Sequence, residues 1–490
     1  MFSLIVARDA AGGIGYNGQI PWHYPTDLKL FKTLTTDPTQ QNAVVMGYNT
    51  WRSLRRPLSG RINIVISATH YEAASKQAAV MLKAELAAAT VPAHVEVYKS
   101  PNDFLRSARA DIHYWIIGGR QIYEWFLANH LVSAIYDTQI ASKYTCDTIL
   151  DLDTIYNSSN WVAPICPPDA VRAFNSANEP ELYLRYTLHH GNRDEQQILD
   201  TIRDILDNGE MRQERTGTGT LSIFGGQLRF DLSSFPLMTA RPHSFRMIFE
   251  ELMWILRGQR DVGILEKKNI PIWTPNSTQE FINRQGLEIP LFAGDIGESY
   301  GHNMRNYGGD SANCGDDRDD YKNSSGYDQL ANALHLLQNN PTSRRIIINL
   351  WNPAGVKRAA LPPCLCWYQF YVRNKGGKRW LDCQAMNRSS DIVVAGGWNV
   401  ATAALLTYIL AAACGMEPGV LTWIYGDAHI YLNNVEAAKE LVTRAPRLYP
   451  KLFVLRKLQT VADIESLEFG DFKLVNYAPI KPQIKLAMNA

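Results

Sequence analysis

Short apolar runs alternate with helix-patterned segments along the first part of this chain, and that alternation limits the fold more than any other feature. "SLIVA", "NAVVMG", "RINIVIS", "HVEVY", "HYWIIGG" and "SAIYDTQI" read as strands. "PTDLKLFKTL", the Ala-rich "YEAASKQAAVMLKAELAAA" and "RQIYEWFL" read as helices between them. Strands interleaved with helices predict an α/β domain around one central sheet. The alternation stops near residues 163–180, where "APICPPD" and "NSANEP" are loop material and "ELYLRYTL" reads as a last strand. A polar junction, "HHGNRD", leads into "EQQILDTIRDILDNGE", with helical spacing at Ile198, Ile202, Ile205 and Leu206 and a Gly stop. A chain of 490 residues is too long for one hydrophobic core, so two domains are expected: 1–188, a junction at 189–193, and 194–490. The polar, acidic tract 308–326 reads as a mobile surface insert in the second domain, and no internal repeat is found.

Composition narrows the function classes. Hydrophobic content of 46% and charged content of 20% indicate a folded protein. A net charge of +1 gives no global attraction to nucleic acid, although a local basic phosphate site stays open. "MFSLIVARD" does not read as a signal peptide. The longest apolar stretch, "VATAALLTYILAAAC", is short and Thr-punctuated, so it reads as a buried helix and not a membrane span. Seven scattered cysteines show neither disulfide nor zinc spacing, so no metal is expected and a reducing, cytoplasmic setting is.

Two features in the first half carry chemistry. In "IIGGRQIYEW" a strand, two glycines and a helix follow in order, which brings backbone N–H groups and a helix N-terminus close to a phosphate; an ordinary strand–helix turn is the alternative. Asp27 shares a helix face with Leu30, Phe31 and Leu34. A carboxylate there is desolvated and suited to proton work; the alternative is an acid that favours the helix N-terminus. Four pieces in register, "GIGYNGQIPW", "PTDLKLF", "VVMGYNTWRSL" with "PLSGRINIVIS", and "YWIIGGRQIY", resemble the dihydrofolate reductase family over nearly all of residues 1–188.

That resemblance implies an α/β fold with a mixed, mostly parallel sheet, and NADPH as cofactor. Asp27 matches the family's acidic site residue, supported by Thr138. Ala7, Trp22, Phe31 and Tyr123 would line the folate and nicotinamide pocket, and Arg61 would pair with the folate glutamate. Gly47, Thr50, Ser67, Gly118 and Gly119 would hold the cofactor, with a cis peptide between the last two. The family often places Ser-Arg after the strand "INIVIS" to meet the NADPH 2′-phosphate. Here "SAT" follows, and Lys99 is the substitute cation.

In the second half, the helix "FRMIFEELMWILRG" carries adjacent acids. Glu251 falls among Met247, Ile248, Trp254 and Ile255 and is the buried one; Glu250 lies on the flank near Arg246. A buried acid needs a partner or a proton, and a merely structural carboxylate is the alternative. "LPPCLCWYQF" sets Cys364 and Cys366 two residues apart, on one side of an extended strand, so alternation cannot choose between them. Seven stretches resemble the thymidylate synthase family, in its order, through residues 190–490. They include "RTGTGTLSIFGGQLRF", "ESYGHNMR", "SRRIIINLWNP", "NRSSDIVVAGGWN" and "YGDAHIYLNN". The reductase-then-synthase order resembles the fused chains of some single-celled eukaryotes and plants.

This second resemblance implies an α+β fold that methylates dUMP to dTMP with 5,10-methylenetetrahydrofolate; the first domain would then reduce the dihydrofolate produced. The family's nucleophile follows directly on Pro, which points to Cys364 and leaves Cys366 as core filler. Glu251 would handle protons. Arg215, Arg344, Arg345 and Arg388, with Ser389, would clamp the nucleotide phosphate, Arg344 and Arg345 reaching into the partner of a homodimer. Asn399 would read the pyrimidine, His429 and Tyr431 the deoxyribose, and Trp273 and Asp391 the folate. A hydroxymethylase of the same fold is disfavoured because Asn399 suits uracil where Asp would suit cytosine. A non-catalytic dimerising or RNA-binding member is disfavoured by the retained polar set and the near-neutral charge. Three departures stand out: "VVAGGWN" replaces a Gly-hydrophobic-Pro-Phe-Asn run, Met304 replaces Trp, and Leu365 replaces His.

Overall fold

The structure, a computed structural model, describes residues 1–87, 94–157, 161–162, 169–174, 180–213, 217–309 and 325–487. Most of the expected 308–326 insert and of the 163–180 loop tract lie outside the described residues. The chain divides into two compact units, Met1–Asn192 with Leu474–Ala478, and Arg193–Lys473 with Pro479–Ala490.

Unit one follows the expected alternation. Its elements are β1 (Phe2–Arg8), α1 (Pro25–Thr35), β2 (Gln41–Gly47), α2 (Tyr48–Ser53), β3 (Ile62–Ile66), α3 (Tyr71–Ala87), β4 (His94–Tyr98), α4 (Pro101–Ser107), β5 (Ile112–Gly118), α5 (Arg120–Ala128), β6 (Ala134–Ile140), β7 (Asp169–Phe174) and β8 (Pro180–His190). The sheet order is β7-β8-β6-β1-β5-β2-β3-β4. From β6 to β4 all neighbours are parallel, and β8 and β7 add antiparallel pairs at one edge. Parallel strands covered on both faces must be apolar throughout. In β2, Ala43, Val44, Val45 and Met46 are all fully buried, and Val44 and Met46 pack with Trp51, Val65 and Trp115. Parallel strands also deliver their C-terminal ends to one edge, where open α/β sheets bind ligands.

Unit two is α+β. Its sheet runs β9 (Glu210–Arg212), β10 (Thr220–Asp231), β14 (Glu417–Tyr431), β13 (Lys378–Asp391), β12 (Leu365–Lys375) and β11 (Ile347–Asn349) in spatial order. β13 and β14 are parallel; the other pairs are antiparallel. The helices that matter for the site are α6 (Arg193–Asn208), α7 (Phe245–Leu256), α8 (Tyr300–Arg305) and α9 (Gly397–Ala413). As its composition predicts, α9 is a core helix, with every residue from Val400 to Ala411 buried.

Candidate active sites

In unit one Ala7, Gly47, Ser67, Lys99 and Gly118 lie at or just past the C-terminal ends of parallel strands, whereas Arg61 precedes the start of β3. Register pairs Ala7 on β1 with Thr138 on β6. Asp27 sits in the first turn of α1, half-buried, and Thr138 Oγ1 donates to its Oδ1 at 2.9 Å. Trp22 stacks obliquely on Tyr144, with ring centroids 5.2 Å apart. Arg61 is buried; its Nη1 donates to Thr35 Oγ1 and its Nε to Ser59 O at 3.2 Å. The Phe31 ring centroid lies 5.7 Å from the guanidinium. Burial lowers the Arg61 pKa, and no carboxylate among the described residues pairs with it. Tyr123 is buried on α5, and its hydroxyl donates to Ile5 O at 2.9 Å.

The glycine segment forms a cradle. The Gly118–Gly119 peptide is cis, as the resemblance implies. A Cβ on Gly118, whose φ is +145°, would fall 2.7 Å from Thr50 Oγ1, and one on Gly47 would fall 3.2 Å from Ile122 Cγ1. Only glycine keeps this backbone open, and Gly119 caps α5 without a side chain. These features fit a dinucleotide phosphate. Ser67 N donates to Tyr98 O at 2.9 Å, and Ser67 Oγ accepts from His70 N at 3.1 Å. Lys99 is exposed, its Nζ 5.2 Å from the Tyr71 ring centroid.

In unit two, Cys364 ends the double-proline loop just before β12. Cys364 N donates to the Tyr300 hydroxyl at 2.8 Å, Leu365 N to the same oxygen at 3.4 Å, and Arg388 N to Cys364 O at 2.8 Å. Arg388 Nη2 lies 3.9 Å from Cys364 Sγ. The same guanidinium donates to Pro363 O at 2.9 Å and Pro362 O at 3.1 Å, and lies 5.0 Å from the Trp351 ring centroid. The expectation of one extended strand carrying both thiols needs correction. The β12–β13 register shifts between Leu365 and Trp367, so Cys366 occupies a bulge. Burial raises the Cys366 pKa, and its Sγ points back at Cys364 O, 3.8 Å away.

Glu251 lies on α7 between two indoles. Trp273 Nε1 donates to Oε1 at 2.9 Å, and Trp398 Nε1 to Oε2 at 2.6 Å. Burial raises the Glu251 pKa and the two indole donors lower it. Glu250 is half-buried, as Glu251 is, and its partner is Lys268, at 2.6 Å, and not Arg246, which donates to Lys268 O at 3.1 Å. Parallel pairing sets Ser389 beside Asp427 and Asp391 beside His429. His429 Nδ1 is 2.8 Å from Asp427 Oδ1, and its ring meets Tyr431 edge-on at 5.3 Å, so the two do share a face. Asp391 Oδ1 accepts from Val394 N at 3.1 Å, and burial raises its pKa. Asn399 is half-buried at the start of α9. Arg344 and Arg345 are exposed, with no carboxylate partner among the described residues. Arg215 lies outside the described residues.

Two side chains of this site were not singled out from the sequence. Tyr300 sits in the quoted "ESYGHNMR" stretch, and its motif was the signal available. Trp398 stood in view as a departure, with no indication of what its indole would reach.

Comparisons agree with this geometry. Residues 1–163 match the dihydrofolate reductase family model and residues 196–490 the thymidylate synthase model. The chain is 35% identical to a bifunctional dihydrofolate reductase-thymidylate synthase of Paramecium tetraurelia, with 99% of each chain covered. It is 33% identical to that of Zea mays, over 99% of this chain and 97% of the relative, and 32% identical to that of Leishmania major, over 99% and 95%. With two catalytic units in one order along nearly their whole length, the chain belongs to the bifunctional dihydrofolate reductase–thymidylate synthase family.

Proposed function

We propose that the two activities of this family, dUMP methylation and dihydrofolate reduction, are carried here by Cys364 with Glu251 and by Asp27 with Thr138. The observation that carries the reading is the Cys364 thiol, set on a loop end 3.9 Å from a guanidinium and anchored through its own N–H on Tyr300. A cation beside a thiol favours the thiolate, which is the nucleophile.

In the synthase unit, Cys364 Sγ adds to C6 of dUMP, and the electron pair moves to C5, which attacks the folate methylene. Glu251 handles the proton that C5 must lose. Cys364 leaves as thiolate when the methyl group is complete; the folate cosubstrate supplies both the carbon and the hydride. Arg388 and Ser389, with Arg215, bind the phosphate dianion. Arg344 and Arg345, exposed and without acidic partners among the described residues, serve the site of a second copy in a homodimer. Asn399 offers a donor and an acceptor to the uracil edge, His429 and Tyr431 hold the sugar, and Trp273 and Asp391 border the folate.

In the reductase unit, Asp27 holds the pterin and assists its protonation, with Thr138 fixing the carboxylate. Arg61 takes the folate glutamate carboxylate, which relieves the cost of a buried, unpaired cation. Ala7, Trp22, Phe31 and Tyr123 wall the pocket. Gly47, Gly118, Gly119 and Thr50 would hold the NADPH pyrophosphate, with Ser67 and Lys99 toward the 2′-phosphate; when bound, NADPH supplies the hydride. Cys146, Cys364, Cys366, Cys383 and Cys414, none of them in a disulfide among the described residues, suit a reducing, cytoplasmic setting.

With dUMP and methylenetetrahydrofolate, dihydrofolate should accumulate without NADPH and be consumed with it. Cys364→Ala should abolish only the synthase step and Asp27→Ala should impair only the reductase. The opposite pattern sinks the assignment. Mixing Cys364→Ala chains with Arg344→Ala/Arg345→Ala chains should restore synthase activity; no recovery on mixing refutes the shared site.

A further inference from the structure

We infer that Trp398 is a positioning residue for the synthase reaction, its indole N–H holding the Glu251 carboxylate ionised and aimed from the side opposite Trp273. The inference rests on the reading of Glu251 as the proton-handling group. Three observations carry it. First, the 2.6 Å bond from Trp398 Nε1 to Oε2 and the 2.9 Å bond from Trp273 Nε1 to Oε1 engage both carboxylate oxygens with donors that cannot accept. Donors on both oxygens favour the ionised form and work against burial, which raises the pKa of this acid. Second, the indole stands where the resemblance gives Phe in the more usual run, a ring with no N–H to make this contact.

Third, the backbone before it is distorted. Residues Ile392–Gly396 form a π-helical turn that runs into α9, a distortion that shifts side-chain phase and collects at functional sites. A Cβ on Gly397, where the resemblance gives Pro, would fall 3.0 Å from Met238 Sδ and 3.4 Å from His243 Cε1. Gly397 thus lets the start of α9 pack tightly against Met238 and His243, and the next residue, Trp398, reaches Glu251 on α7.

The groups facing Glu251 leave it free to report this contact. Tyr300 on α8 and Tyr368 on β12 both have raised pKa values and stay neutral through the working range. His243, whose ring centroid is 6.1 Å from that of Trp398, is held well below its ordinary pKa by burial and by Arg241, and stays neutral. Arg241 stays cationic. On α7 itself Glu250 is paired with Lys268. Cys364 is the remaining titrating group, and alkylation reads it separately.

The test is Trp398→Phe, which keeps the ring and removes the donor. The acidic limb of the pH profile of synthase kcat/KM should move up by about one unit, the worth of one hydrogen bond to a charged group. The pH dependence of Cys364 alkylation, the dUMP dissociation constant and the unfolding temperature should stay those of the parent. Trp273→Phe should give the same displacement from the other oxygen. Infrared titration of the carboxylic acid band that disappears in Glu251→Gln reads the same shift without turnover. An unmoved acidic limb and an unmoved band in Trp398→Phe overturn the inference. If Glu251→Gln keeps full synthase activity, the proton-handling reading fails instead, while the band still reports on Trp398.

Discussion

Replacing Arg388 by Met should cost the synthase its nucleophile before it costs the fold. Arg388 Nη2 lies 3.9 Å from Cys364 Sγ, so at an effective dielectric of about 20 one unit charge there is worth about 4 kcal/mol to a thiolate. Both side chains are half-buried, and the guanidinium charge is spread over three nitrogens, so solvent and salt remove more than half of that. About 1.4–2 kcal/mol remains, which is about a tenfold to thirtyfold loss of thiolate at fixed pH. The assay is the second-order rate of iodoacetamide alkylation of Cys364 at neutral pH and low salt. Arg388 also fixes the loop through Pro362 O and Pro363 O, so Arg388→Gln, which keeps a donor without the charge, is the control. Gln should lose nearly as much reactivity as Met, and Lys, which keeps the charge without the fork, should lose less. An alkylation rate in Arg388→Met within twofold of the parent would refute the argument, because the cation would then not be setting thiolate population.

Three further outcomes are expected. Thr138→Val removes the 2.9 Å donor to Asp27, so reductase kcat/KM should fall about tenfold and its acidic limb move up, with synthase turnover untouched. Glu195 is fully buried and accepts from Thr239 N at 2.8 Å, Ala240 N at 2.6 Å and Thr239 Oγ1 at 2.7 Å, yet burial pushes it up to about 7. A raised carboxylate pKa means the folded state binds the proton more tightly. That contribution to stability is full below the unfolded pKa of 4.5 and is lost as pH rises through 7, on the order of 3 kcal/mol in all. Denaturant titrations of parent and Glu195→Gln across that range should diverge by this pH slope, and parallel curves would exclude it. Leu365→His, at a buried position beside the nucleophile, should change synthase turnover by less than about tenfold, since no covalent step uses that side chain. A gain of several orders of magnitude would show that the missing imidazole matters.

What could be read ahead of the structure divides along the distance over which each feature is encoded. The sheet of unit one was legible because each parallel strand announces itself locally, as Ala43 to Met46 do by being apolar on both faces. The helix face of Glu251 was legible from its four apolar neighbours, although the side chain is half-buried and not fully enclosed. Its partners were not: Trp273 is 22 residues away and Trp398 is 147, and no periodicity joins α7 to either. The two thiols failed for a different reason. Alternation assumes an unbroken strand, and a bulge at Cys366 breaks it, so position modulo two carries no information there. The Asp27–Thr138 pair is intermediate. The acid's place on its helix is local, whereas the threonine reaches it only because β6 lies parallel to β1 in the register that sets Thr138 against Ala7. Resemblance named that partner from outside the chain, and Thr138 Oγ1 does donate to Asp27. It was silent at Trp398, where the residue changed. A substituted position beside a buried acid therefore has to be judged by the donors and acceptors its new side chain brings. An indole in place of a phenyl ring adds one N–H, and the deepest unpaired charge within reach is the place to look for it.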